Sequence, residues 1–186
     1  MDAFITSVFT VALAEIGDKT QLLSLFLIAR FNRPWSIIAG IFIATLLNHA
    51  ASAGAGVWLG QFLQSEIGNW LIGGSFIAVG LWLLIPDKED TPSSRWDAYG
   101  TFVVSLILFF LAEIGDKTQI ATVLLGAEFG APVLVTLGTT IGMLIANVPL
   151  VLFGAGLMRY IPLRPARIVA AIVFVVTGIY SLMNSV

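Results

Sequence analysis

The sequence repeats itself where repetition is hardest to reconcile with its surroundings. Leu13-Ala14-Glu15-Ile16-Gly17-Asp18-Lys19-Thr20-Gln21 recurs as Leu111-Ala112-Glu113-Ile114-Gly115-Asp116-Lys117-Thr118-Gln119, an offset of 98. Each copy lies near the middle of a long apolar run. Nine consecutive identities that include acidic, basic, hydroxyl and amide side chains are not what chance produces in leucine-rich sequence. The same offset pairs Pro34 with Pro132, Gly40 with Gly138, Gly56 with Gly154, Gly80 with Gly178, and His49 with Asn147. The chain is therefore two copies of one unit.

Charged residues make up only 11% of the 186 residues, against 58% hydrophobic, less than half the ~25% charge of a soluble domain. A soluble globule could not cover its surface with so few, so the composition points to an integral membrane protein. The chain has no cysteine and one histidine. That excludes disulfides, thiol redox chemistry, Cys-ligated zinc, iron–sulfur clusters and bis-His haem. No basic tract suggests nucleic acid as a partner. The N-terminus has no positive n-region and no small-residue cleavage pattern, so it is read as a retained helix. No Ser/His/Asp set, zinc-protease motif or redox cysteine supports an enzyme, and no resident cofactor is expected.

Six apolar segments are long enough to cross a bilayer at about 20 residues each. They are Phe4–Ala29, Pro34–Leu63, Asn69–Ile85, Tyr99–Ala127, Ala131–Met158 and Pro165–Met183. Trp35, Trp58, Trp70, Trp82, Trp96 and Tyr160 fall near their ends, where amphipathic rings settle at the interface. Residues 1–85 form the first three-helix repeat, 86–98 a polar cytoplasmic linker, and 99–186 the second repeat, together one compact transmembrane domain. Arg30 and Arg33 lie in the first loop, Lys88 and Arg95 in the third, and Arg159, Arg164 and Arg167 in the fifth. The other loops and both termini carry no Lys or Arg, so the positive-inside rule places both termini outside the cytoplasm. A unit with an odd number of spans enters the membrane from opposite sides in its two copies. The expected fold is thus all-α, with six transmembrane helices as two inverted-topology three-helix repeats.

An ionised carboxylate at mid-bilayer costs at least about 2.5–3.5 kcal/mol, so the motif acids must converge on one another, on an ion or on water. On a regular helix of about 100° per residue, Glu15 and Asp18 lie about 60° apart on one face, with Lys19 beside Glu15 and Gln21 extending the face. Thr20 points nearly opposite, toward a neighbouring helix or a carbonyl. Gly17 permits close helix approach or local unwinding. The same holds for Glu113, Asp116, Lys117, Gln119, Thr118 and Gly115. Four carboxylates and two ammonium groups carry a net charge of −2, which one divalent cation neutralises. Glu15, Asp18, Glu113 and Asp116 are the candidate metal ligands, a hard oxygen set suited to calcium, manganese or magnesium. Gln21, Gln119, Thr20 and Thr118 are candidate further contacts. Lys19 and Lys117 are candidate charge partners of Glu15 and Glu113, or snorkelling anchors at the interface. Ligands must be deprotonated to bind metal, so an empty site takes up protons, the physical basis of cation/proton exchange. The competing structural reading is an intramembrane salt bridge that only joins helices.

His49, mid-span beside Asn48, is a candidate proton acceptor or a nitrogen ligand that would favour manganese over calcium. A neutral histidine bonded within the bundle is the plainer alternative. Asn48 and Asn147 are candidate ligands or interhelical hydrogen-bond partners. Gly54, Gly56, Gly73 and Gly74 are read as close-packing positions, and Glu66 and Glu128 as solvated loop charge.

Two copies of Glu-x-Gly-Asp-Lys-Thr, one per three-helix half, resemble the Gdt-one-like cation/proton exchangers, a family with bacterial manganese exporters and Golgi and chloroplast manganese/calcium transporters. The resemblance covers the whole chain. It implies manganese or calcium as transported ion, protons as counter-ion, and Glu15, Asp18, Glu113 and Asp116 as the ion-binding acids. The expected protein is a transporter that exports Mn2+ from the cytoplasm by alternating access, with Ca2+/proton exchange or a passive divalent-cation channel as alternatives. The short chain fits a multi-pass protein of a bacterial inner membrane. The divalent cation and the lipid bilayer are its expected partners, and a homo-oligomer is compatible with the sequence.

Overall fold

A computed structural model describes residues 2–63, 66–85, 99–154, 156 and 163–183. Among them are eight α-helices and no strand. They are α1 (Asp2–Ala14), α2 (Lys19–Phe31), α3 (Pro34–Phe62), α4 (Glu66–Leu83), α5 (Thr101–Glu113), α6 (Lys117–Phe129), α7 (Pro132–Phe153) and α8 (Leu163–Met183). The expected linker over 86–98, together with Trp96, Arg159, Tyr160 and the side chains of Glu66, Arg164 and Arg167, lies outside the described residues.

Eight helices replace six apolar segments because the first and fourth segments are each cut in two at the repeated motif. Gly17 and Gly115 take φ of 81° and 75°, a left-handed backbone that side chains with a Cβ disfavour and that no α-helix continues through. Pro34 and Pro132 each sit in the first turn of the long helix that follows, where a missing N–H costs nothing. Asn32 and Gly130, at φ 48° and 59°, end the helices before them in the left-handed conformation.

The two halves interlock. Helix α3 packs on α5 and α6, and α7 packs on α1 and α2, so the long helix of each half lies against the broken segment of the other. The contacts match residue by residue at the offset of 98. A methyl group on Gly40 would lie 2.6 Å from Ser105 Cβ and 2.9 Å from the Phe102 carbonyl. One on Gly138 would lie 2.8 Å from Ser7 Cβ and 2.6 Å from the Phe4 carbonyl. Helices α4 and α8 meet likewise, with Phe76 and Phe174 fully buried and their ring centroids 6.1 Å apart. Of the glycines expected at close contacts, Gly56 lies against the Val123 carbonyl and Gly73 near the Gly178 carbonyl. Gly54 and Gly74 have open space where a side chain would go, so close packing does not account for them.

The distribution of polarity is inverted relative to a soluble globule. Glu15, Gln21, His49, Glu113, Asn147 and many hydroxyls are buried, while Phe9, Trp35, Phe62, Leu81, Phe153 and Val176 are exposed. A water-facing surface rarely carries so many large apolar side chains, and a lipid-facing one requires them. Helices α3 and α7 are long and apolar enough to cross a membrane, and α1, α5 and most of α4 and α8 are shorter apolar helices. With lipid outside, such helices associate through close packing and interhelical hydrogen bonds, which the glycine contacts above provide.

Candidate ion-binding site

Each break in the helical course is built by the motif itself. After Glu15 and Glu113 the backbone tightens: the amides of Asp18 and Asp116 donate to the Glu15 and Glu113 carbonyls, each at 3.1 Å. The glycine amides of the turn meet side-chain acceptors from the same motif. Gln21 and Gln119 satisfy them: the Gly17 amide donates to Gln21 Oε1 at 2.8 Å, and the Gly115 amide to Gln119 Oε1 at 2.7 Å. The motif's glutamines thus have a duty that the sequence did not reveal, since their spacing of four from glycine reads as ordinary helix. Gln21 also donates from Nε2 to the Ala146 carbonyl at 3.0 Å, tying the first break to α7. Asp18 and Asp116 occupy the N-cap positions of α2 and α6. Asp116 Oδ1 accepts from the Lys117 amide at 2.6 Å, whereas Asp18 makes no capping bond.

The break changes the side-chain directions that a continuous helix would impose. Thr20 does not point away from the acids. It donates to Glu15 Oε2 at 2.5 Å, because the residues after Gly17 begin a new helix with a new phase. Thr118, from the other half, donates to Glu15 Oε1. Glu15 thus holds threonine hydroxyls from both repeats. The lysines part company as well. Lys19 lies 3.2 Å from Asp116 Oδ2 across the two halves, not beside Glu15. Lys117 is turned away, donating to the Ile85 carbonyl at 2.6 Å with its ammonium 5.7 Å from the centre of the Trp82 ring. It pairs with α4, not with Glu113.

The acids nevertheless share one neighbourhood. Glu15 interacts electrostatically with Glu113 and Asp116, and Lys19 with Asp18, Glu113 and Asp116. Glu15 and Glu113 are fully buried, and Asp18 and Asp116 nearly so. With Lys117 elsewhere, four carboxylates face one ammonium, so the cluster carries −3 when all are ionised, not the −2 expected from the motif. Among the described residues no three acidic or imidazole groups stand close enough together to enclose a metal as they are; the structure gathers the acids without closing them into a cage.

Around this cluster, Asn48 donates to the Phe110 carbonyl at 3.1 Å, joining α3 to α5. Asn147 accepts from Ser24 Oγ at 2.8 Å, joining α7 to α2, and donates to the Met143 carbonyl at 3.2 Å. Both asparagines therefore act as interhelical hydrogen-bond partners. His49, fully buried, faces the second motif copy, with Nε2 3.7 Å from Glu113 Oε2. Glu128, expected as solvated loop charge, instead accepts from Ser181 Oγ at 2.7 Å at the rim of a cavity of about 490 Å³ between the ends of α3, α4, α6 and α8.

Comparison with known proteins gives the family. The model of the divalent cation/proton antiporter family GDT1 matches residues 3–91 and 101–186, the two halves of the repeat. A Vibrio cholerae protein named "Putative manganese exporter" is 50% identical over 96% of this chain and 90% of its own length. A GDT1-like protein of Synechocystis is 28% identical over 78% of this chain and 82% of its own. GDT1-like protein 4 of Oryza sativa subsp. indica is 26% identical over 76% of this chain and 59% of its own. No solved structure is significantly similar. With its doubled acidic motif, interlocked halves and match along both of them, this chain belongs to the GDT1 family of divalent cation/proton antiporters.

Proposed function

We propose that the chain exports Mn2+ from the cytoplasm in exchange for protons, by alternating access between two inverted three-helix units that form one transmembrane domain. The observation that carries the reading is the convergence of acids from both halves at two unwound points of the chain. Discontinuous helices whose broken ends meet between repeats are how secondary transporters expose polar groups at membrane depth without leaving the backbone unsatisfied. Here the glutamine–glycine bonds supply that satisfaction.

Glu15, Asp18, Glu113 and Asp116 bind the ion as carboxylates, and Lys19 holds counter-charge on Asp116 when the ion is absent. Cation binding requires these acids deprotonated, so protons leave as the ion arrives and return as it departs. Bound Mn2+ or bound protons remove most of the cluster's charge of −3 and so lower the cost of carrying the site through the low-dielectric core. Glu15, braced by two threonines, and Glu113, with no such brace, lie on opposite halves, which suits a site that alternates its exposure. Loops one, three and five face the cytoplasm of a bacterial cell, both termini lie outside it, and the membrane is the inner one. The Vibrio relative's name favours manganese as cargo; the hard oxygen set accepts calcium too.

The test is purified protein in proteoliposomes loaded with a pH-sensitive dye and challenged with Mn2+, Ca2+ and Mg2+ in turn. Mn2+-driven proton movement, lost in Asp18→Asn, is the expected result. Ion flux without proton movement would mean a channel or uniporter. No flux through folded protein would return the motif to a structural role.

A further inference from the structure

The two motif copies are identical in sequence, but the residues facing them from the long helices are not. At the position where α7 carries Asn147, α3 carries His49. Asn147 has its amide engaged with Ser24 and Met143. His49 has neither ring nitrogen in a hydrogen bond, and both oxygens of Glu113 are also without hydrogen-bond partners. Each is fully buried. Buried polar atoms are normally bonded, and leaving a donor or acceptor unmet costs about 1–3 kcal/mol. An imidazole and a carboxylate that both go unmet while facing each other 3.7 Å apart are arranged for something between them.

The separation suits a metal ion. Two metal–ligand bonds of about 2.1 Å each can span up to about 4.2 Å, so one cation can touch both Nε2 and a Glu113 oxygen. Glu15 differs in that Thr20 and Thr118 already bond both of its oxygens. We propose that His49 is a direct nitrogen ligand of the transported ion, which in this conformation sits on the Glu113 side of the cluster, and that this nitrogen sets the preference for Mn2+ over Ca2+. The inference rests on the ion-site reading above and adds to it one ligand and a source of selectivity. Calcium and magnesium take oxygen ligands, while imidazole nitrogen favours first-row transition metals. A site of carboxylates alone would discriminate poorly between Mn2+ and the far more abundant alkaline-earth ions. One buried imidazole adds that discrimination without adding charge.

The test uses the fact that the chain has a single histidine. Full-length protein purified without a histidine tag is loaded with Mn2+ and examined by electron spin-echo envelope modulation. Modulation from an imidazole nitrogen can come only from His49; it is expected in the wild type and absent in His49→Asn. Bound Mn2+ with no nitrogen modulation in the wild type overturns the proposal. Failure to bind Mn2+ at all overturns the underlying site reading, and the two failures are thereby distinguished. In a competition assay, His49→Asn is expected to lower the preference for Mn2+ over Ca2+ about tenfold, within the range over which groups around a metal tune affinity. An unchanged preference overturns the selectivity role even where nitrogen modulation is seen.

Discussion

Glu15 and Glu113 stand at the same place in identical nine-residue segments, yet their carboxylates meet different surroundings. Glu15 accepts from Thr20 of its own half and Thr118 of the other. The Glu113 carboxylate has no hydrogen-bond partner and faces His49. The lysines diverge in the same way, Lys19 reaching across to Asp116 and Lys117 retreating to the end of α4. Identical sequence placed in an interlocked pair of halves is thus not used identically at one moment. The two breaks share a left-handed glycine, the same turn bond and a glutamine brace, and the asymmetry lies mainly in the partners of the side chains. A transporter needs that combination: a fixed frame and a site with two inequivalent sides.

The comparison is broken most forcefully at the acids. Glu15→Gln and Glu113→Gln should each reduce Mn2+-driven proton flux in proteoliposomes about a hundredfold or more, at the upper end of what loss of a metal-site group costs. Survival of flux in either would mean that only one half carries the ion. Next come the glycines that turn the chain. Gly17→Ala and Gly115→Ala should each lower stability by about 1–2 kcal/mol, the cost of a left-handed residue with a Cβ, read as similar drops in Tm in detergent. A drop confined to one would separate the two breaks. The lysines should separate clearly. Lys19→Met removes the ammonium from the acid cluster and should impair transport in folded protein. Lys117→Met should lower Tm while leaving flux per folded molecule within about twofold, as expected where the ammonium bonds the Ile85 carbonyl beyond α4 and not the acids. The smallest difference is at the glutamines. Gln21→Ala loses two buried or half-buried bonds and should cost about 1–3 kcal/mol, while Gln119→Ala, whose bond is exposed, should cost under about 1 kcal/mol.

Much of this molecule is legible in its sequence. The doubled motif, the offset of 98 and the lack of surface charge led to two helical units with acids in apolar surroundings, and the family followed from the motif residues. What escaped was phase. Helical angles carried through Gly17 place Thr20 opposite Glu15, and a glycine at φ 81° resets them. Gln21 and Gln119 read from their spacing as further contacts of the site, and their bonds to the glycine amides become visible only with the break. Lys117 carries the same motif context as Lys19, so nothing local distinguishes them. Its partner at Ile85 is a tertiary contact 32 residues away. His49 was visible as an isolated imidazole, but its facing of Glu113 was not, because that pairing joins the two halves.

The central claim is that the two motif copies build one ion site. Equilibrium dialysis of purified protein against Mn2+, with bound metal counted per chain, tests it directly in the wild type, Asp18→Asn and Asp116→Asn. One Mn2+ per chain is expected, with binding weakened by substitution in either half. Two Mn2+ per chain, with each substitution removing one and leaving the other intact, would contradict it.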